Sequence, residues 1–168
     1  IQRPFAYGDN PLPIGHGQTI SQPYIVAFMT KMLNVQSHHT VLEIGTGCGY
    51  QAAILSLLVK KVISLEIVKA LANSTKKRLK KLNYQNIEVF CFNGKKGWDN
   101  GAPYDRIITT AAPTQVPDAL IEQLAPNGQM VIPVGPDVNH QYLHIITKNK
   151  RGFIQTKQSL PVRFVPMI

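Results

Sequence analysis

The sequence predicts an α/β fold: a doubly wound, mostly parallel seven-stranded sheet with an antiparallel edge. Three observations predict it. From Thr40 onward short β-branched runs alternate with helical patterns, which is the signal of βαβ units. One apolar run, Val41-Leu42-Glu43-Ile44, passes straight into a glycine-rich turn and then a helical pattern. Beyond Val134 the helical patterns stop and two more strand-like runs follow, as an antiparallel hairpin closing one edge would require.

The elements follow in order. Residues 11–21 are rich in Gly and Pro and read as loop. Ser21 can cap a helix whose apolar positions Ile25, Phe28, Met29, Met32 and Leu33 keep helical spacing. A capped helix after a tight loop can overhang the carboxyl edge of a parallel sheet, where ligands bind in this architecture. Strands are expected at 40–44, 62–65, 87–92, 105–110, 130–134, 142–147 and 162–165, with helices at 50–58, 69–82 and 117–124. The last helix carries Pro117 at its start and Asn127-Gly128 just past its end. Residues 1–168 form one domain on this reading: 1–39 a loop and helix covering the site, 40–168 the ligand-binding core.

A length of 168 residues with 44% apolar content suits one core burying roughly two-thirds of the unfolded chain's surface. No apolar run approaches the ~20 residues of a membrane span, so no membrane partner is expected. The chain opens on Ile1 without a signal-peptide progression, the pattern of a chain beginning inside a longer gene product. Two cysteines, Cys48 and Cys91, build neither a disulfide framework nor a paired Cys-x-x-Cys site, and a reducing cytoplasm is expected. Lys and Arg outnumber Asp and Glu by 18 to 9, and the excess gathers at Lys60, Lys61, Lys95, Lys96 and across 76–81. Such a surface can attract phosphates or acidic proteins. The plainer reading is a solvated helix face opposite Leu71, Ala72, Leu79 and Leu82, because no aromatic residues interleave to stack bases.

The sharpest motif is Gly45-Thr46-Gly47-Cys48-Gly49-Tyr50 at the end of the first core strand. Glycines there admit positive φ and let a ligand approach the backbone. Glu66 ends the next strand, about 20 positions after Gly45, where a carboxylate meets the ribose hydroxyls of a nucleoside. A dinucleotide fingerprint would place its third glycine at position 50, which is Tyr50. Glu43 can instead face a ligand ammonium, directly or through water. Together these favour the methionine moiety of S-adenosylmethionine over a pyrophosphate. Asn93-Gly94 follows the third core strand and offers a donor and an acceptor to an adenine edge, though Asn-Gly is equally a plain turn. His140 and His144 fall on a strand-like stretch where their spacing does not converge on one ion, and His38 and His39 precede a strand. No metal is expected.

Several separated segments are together similar to the protein-L-isoaspartate O-methyltransferases. They are the stretch from Pro13 to Tyr24, the glycine loop from Leu42 to Ala52, Gly97-Trp98, Ala102 to Ile108, Thr110-Ala111-Ala112-Pro113, Val116-Pro117, Gln123-Leu124, Ile132 to Gly135, and Val162-Arg163-Phe164-Val165-Pro166. The resemblance implies a Rossmann-like methyltransferase fold and transfer of the donor's methyl group to the α-carboxyl of L-isoaspartyl residues in damaged proteins and peptides. S-adenosyl-L-homocysteine is then the other product. It implies Ser21 as the active-site residue, Glu66 on the ribose and the Asn93-Gly94 turn on adenine. Donor contacts are expected from Glu43, Gly45, Thr46, Gly47, Gly49, Glu66, Asn93 and Gly94; acceptor contacts from Thr19, Ile20, Ser21, Thr110 and Ala111. The sequence departs from the family's pattern where Phe92-Asn93-Gly94 stands for Gly-Asp-Gly and Cys48 for the common Ser, and in lacking the helical segment that normally precedes Ile1.

The chemistry agrees. An acceptor carboxylate with a pKa near ~4 is already ionised, so its attack on a sulfonium methyl needs no general base. No convincing Ser/His/Asp or paired-carboxylate arrangement occurs in the sequence. Ser21 then serves as an orienting donor, as a helix cap, or as both, and Thr110 either approaches the acceptor or caps the next turn. A nucleic-acid methyltransferase is favoured by the net charge of +9 and opposed by the lack of an aromatic clamp for a flipped base. An inactive donor-binding module is favoured by Asn93. A monomer without nucleic-acid partners is expected.

Overall fold

The structure, a computed structural model, describes residue 5 and residues 7–168; of the expected covering segment 1–39, residues 1–4 and 6 lie outside the described residues. Its elements are β1 (Leu12–Gly15), β2 (Gln18–Ile20), α1 (Pro23–Leu33), β3 (Thr40–Ile44), α2 (Tyr50–Ser56), β4 (Lys61–Glu66), α3 (Lys69–Lys81), β5 (Ile87–Cys91), β6 (Tyr104–Thr109), α4 (Asp118–Glu122), β7 (Leu124–Val134), β8 (Gln141–Lys148) and β9 (Ile154–Val162). A seven-stranded sheet runs in the order β5-β4-β3-β6-β7-β8-β9. Its first five strands are parallel, and β7, β8 and β9 are joined antiparallel. This is the doubly wound sheet with an antiparallel edge that the alternating pattern predicts. The chain leaves β3 for β4 and β5 on one side, then crosses back to β6 on the other. The carboxyl ends of β3 and β6 therefore flank the switch point, where such sheets open a crevice.

Alternation along β3 divides the core. Val41 joins Met29 and Leu33 of α1 and Ala52 and Leu55 of α2 on one face. Leu42 and Ile44 join Ile63, Leu65, Ile107 and Leu120 on the other. The central strands read as continuous apolar runs because both faces are covered. Coverage is unequal: Ala72 and Leu79 of α3 pack with Val89 of β5 on the α1–α2 side. The opposite side is closed by α4 and by Trp98, which stacks on Phe90 with centroids 4.4 Å apart.

Four expectations are corrected. Residues 11–21 are not plain loop: β1 and β2 pair antiparallel around a turn in which Gly15, His16 and Gly17 all take positive φ. Ser21 does not cap α1. That helix starts at Pro23 after Gln22, with no side-chain cap from Gln22, and the Tyr24 N–H donates to Asp9 Oδ1 at 2.9 Å. The helix expected over 117–124 is the shorter α4, and Asn127-Gly128 lies within β7, with Asn127 at φ 59, rather than marking the helix end. Leu124 is drawn into the ladder opposite Tyr104, and the register then shifts before Arg106 pairs with Gln129. Finally the last strand is Ile154–Val162, not 162–165, because the ladder with β8 satisfies a polar, exposed segment that carries no apolar period.

Candidate active site

The β3–α2 loop, the end of β4 and the loop after β6 meet above the switch point. Gly45, Gly47 and Gly49 have φ of 97°, 52° and 86°, a left-handed run that only glycine adopts without strain. The Gly45 N–H donates to Leu65 O at 2.8 Å, and the Thr110 hydroxyl donates to Gly45 O at 2.6 Å, so the loop is tied to both neighbouring strands. A Cβ on Gly45 would collide with the Thr110 hydroxyl, and one on Gly49 would come within 2.7 Å of Thr75 Cγ2. Gly49 thus serves helix packing, whereas Gly45 and Gly47 line the cleft.

Glu66 is anchored by its own surroundings. Its Oε2 accepts from the Gly47 N–H at 2.8 Å and its Oε1 from the Val68 N–H at 2.9 Å, which fixes the carboxylate at the cleft wall with acceptor capacity left. Around it a cleft is lined by Ile44, Leu65, Ile67, Phe92, Gly94 and Val165 among others. Gly94 is buried, with Ile44 pressed where a Cβ would sit. Asn93 is not on this wall, and its Oδ1 accepts from the Lys95 N–H at 2.9 Å, which is the turn role.

Glu43 stands differently from a direct ligand contact. Alternation puts it on the same face as Val41, beneath α2, where it is wholly buried and forms no part of the cleft wall. It accepts a short hydrogen bond from Ser64, directly opposite in register, and Ser64 in turn meets Thr46 Oγ1 at 2.6 Å. Its Oε1 has no partner among the described residues. Burial away from water is the main cause that pushes its carboxyl up to about 8. Glu43 is thus joined to the glycine loop through Ser64 and Thr46.

Two further hollows adjoin the cleft. A small one is bounded by Thr19, Ile20, Ser21, Gly45, Thr46 and Thr110, and a wider one by Thr19, Ser21, Gln22, Thr110, Asn139 and Arg163 among others. Thr19 and Thr110 line all three. Ser21 is half-buried between the hollows, and its hydroxyl bonds no described residue. Ala111 lies on the main cleft wall. The structure therefore brings together Thr19, Ile20, Ser21, Gly45, Thr46, Gly47, Glu66, Gly94, Thr110 and Ala111, and sets Glu43, Gly49 and Asn93 behind them. Sequence reasoning missed Gln18, Ile67, Phe92 and residues 165–168, which also form the wall. Phe92 adjoins Asn93 and was within reach of the strand-end rule; Val165 and Pro166 fall in a stretch that carries the resemblance, but no local pattern there points to a ligand. Among the described residues no group of three His, Cys, Asp or Glu side chains converges as a metal site, and no helix is long and apolar enough to cross a membrane.

The chain is similar to known proteins along its full length. The family model for protein-L-isoaspartate(D-aspartate) O-methyltransferase matches residues 1–168. Protein-L-isoaspartate O-methyltransferase 1 of Cupriavidus necator is 53% identical over 99% of this chain, which spans 64% of that protein. Protein-L-isoaspartate O-methyltransferase 2 of a Polaromonas species is 51% identical, and there the chain spans 79%. A solved protein-L-isoaspartate O-methyltransferase superposes with a TM-score of 0.88 at 25% identity, covering 98% of this chain and 54% of its own. A second, from Plasmodium falciparum and described as a putative member in complex with S-adenosyl-L-homocysteine, gives 0.81 at 29% identity, covering 96% and 81%. With the family model running from the first residue to the last, this chain belongs to the protein-L-isoaspartate(D-aspartate) O-methyltransferase family.

Proposed function

We propose that the chain methylates the α-carboxyl group of L-isoaspartyl residues in damaged proteins and peptides, with S-adenosyl-L-methionine as donor. The observation that carries this reading is the junction at Thr19 and Thr110, where the cleft beside Glu66 opens into a wider groove. Two reactants seated in the two hollows meet there.

The cleft suits the donor. Glu66 presents a fixed carboxylate to ribose hydroxyls, Ile67 and Phe92 offer apolar faces for adenine, and the bare backbone at Gly45 and Gly47 leaves room for the methionine part. Gly94 admits the nucleoside edge, and Asn93 sets the turn beneath it. Glu43, its carboxyl raised by burial, acts through Ser64 and Thr46 as a buried hydrogen-bonded brace under the loop that faces the donor. When bound, the donor supplies a sulfonium methyl group; a carboxylate oxygen takes the methyl carbon, and the C–S electron pair stays on sulfur, leaving S-adenosyl-L-homocysteine and a methyl ester.

The chain's own residues orient and exclude. Ser21, with its hydroxyl unclaimed, donates to the acceptor carboxylate and aims its free oxygen. Thr19, Ile20 and Ala111 shape the junction, and Thr110, its own hydroxyl proton committed to Gly45, keeps the loop from closing it. No proton needs to be moved, because the acceptor is already anionic, and alignment supplies the rate: about 7 to 11 kcal/mol in ideal cases. The reading includes a monomeric cytoplasmic enzyme that engages no nucleic acid or metal. Incubation with methyl-labelled donor and an isoaspartyl peptide, its normal aspartyl isomer, or RNA tests it. Base-labile label on the isoaspartyl peptide alone is expected; label on RNA, or on nothing, overturns it.

A further inference from the structure

The wider groove carries one full charge whose role the methyl transfer does not use. Among the described residues Arg163 is the sole ionisable side chain on its wall, it is exposed, and no described carboxylate pairs with it. The acid on the neighbouring hairpin is already occupied: Asp137 is bonded to His140 at 2.9 Å. Asp9 is likewise taken up by Gln22 Nε2 at 2.8 Å and the Tyr24 N–H. An unpaired guanidinium over a polar groove is a ready partner for an anionic group on whatever lies there.

Arg163 is also mounted rigidly, although it lies beyond the end of β9. Gln141 pairs with Val162 in the ladder, and its buried side-chain amide then takes over where the ladder stops. Its Oε1 accepts from the Phe164 N–H at 2.7 Å and its Nε2 donates to Phe164 O at 3.0 Å. Two bonds further on, the Ala112 N–H donates to Val165 O and the Met167 N–H to Ala112 O, each at 2.8 Å. Val162 and Phe164 are buried while Arg163, between them, is turned outward to the groove. A clamped backbone presents a long side chain with less ordering cost on binding.

Position argues against the reacting carboxylate as its partner. Arg163 lines the outer groove only and not the donor cleft or the smaller hollow beside Ser21. A guanidinium on the nucleophile would hold its lone pairs in the ground state, and one near a sulfonium would repel the donor. Resting on the proposed activity, we infer that Arg163 is a specificity-determining residue that recognises an acidic side chain flanking the isoaspartyl residue of the acceptor peptide. The gain is uniform binding, expressed in KM rather than in kcat.

The test uses the full chain and isoaspartyl peptides in which one glutamate is moved residue by residue along both flanks, each against its glutamine control. At one flanking position the parent chain should favour glutamate by about threefold to tenfold in kcat/KM, carried by KM and lost at high salt. Arg163→Gln should abolish that preference, and Arg163→Glu should reverse it in favour of a lysine-flanked peptide, while donor affinity and thermal midpoint confirm an intact fold. A preference that survives both substitutions, or no preference at any position, overturns the inference. Failure to methylate any isoaspartyl peptide would instead be a failure of the proposed function itself.

Discussion

Ser21, Glu66 and Glu43 are three polar residues around one loop, and their surroundings give each a different expected response. Ser21 bonds no described residue through its hydroxyl and does not cap α1, so Ser21→Ala should lower turnover of an isoaspartyl peptide about tenfold, with donor affinity and thermal midpoint nearly unchanged. Full activity in the folded variant would withdraw the orienting role. Glu66→Ala should weaken donor binding by about 1 to 3 kcal/mol, measured by calorimetry, through loss of a charge-assisted hydrogen bond. For Glu43 the folded carboxyl holds its proton up to about pH 8 while the unfolded one releases it near 4.5, so stability attributable to this group falls as pH rises through that window. Glu43→Gln should therefore raise the thermal midpoint by more at pH 8 than at pH 4.5, and an equal shift at both would show that burial does not control the group. At this scale the sequence was most legible where one residue type has one use. Gly45, Gly47 and Glu66 are such cases, whereas the side to which Glu43 points follows from its register opposite Ser64, which no motif records.

Secondary-structure elements were legible in proportion to how much apolar surface they bury. The strands β3, β4 and β6, covered on both faces, match their expected spans within one residue at each end. β9 was misplaced because its exposed residues are chosen by a backbone ladder that leaves no apolar trace. The same reason hid the β1–β2 hairpin, a pairing held largely by backbone bonds. α4 ended early because Leu124 is worth more opposite Tyr104 in the fully buried sheet than in another helical turn. Close packing at loop and element junctions yields its own expectation. Gly94→Ala drives a methyl group into Ile44, so it should cost about 1 to 3 kcal/mol of stability by chemical denaturation and narrow the donor cleft at the same time. A variant as stable as the parent would mean that Ile44 yields freely.

For the whole molecule, charge is the property the sequence displays most openly and the fold distributes most selectively. Lys76, Lys77, Lys80 and Lys81 are exposed on the outer face of α3, as the helical pattern indicated. Arg78 is an exception: its Nη1 donates to Cys48 O at 2.9 Å and so braces the glycine loop. Since the exposed lysines have no stacking partners, RNA or DNA should show no tight binding at physiological salt by anisotropy; tight binding with a steep salt slope would contradict this. The wall of the donor cleft has a further consequence. Residues 165–168 complete it from the far end of the described chain, strapped to Ala112 by a pair of backbone bonds. A ribosome makes the glycine loop long before it makes that strap. The cleft can therefore be finished only after synthesis has passed the strap, and a chain interrupted after β9 would carry every loop glycine and Glu66 yet hold its donor in a hollow with one side missing.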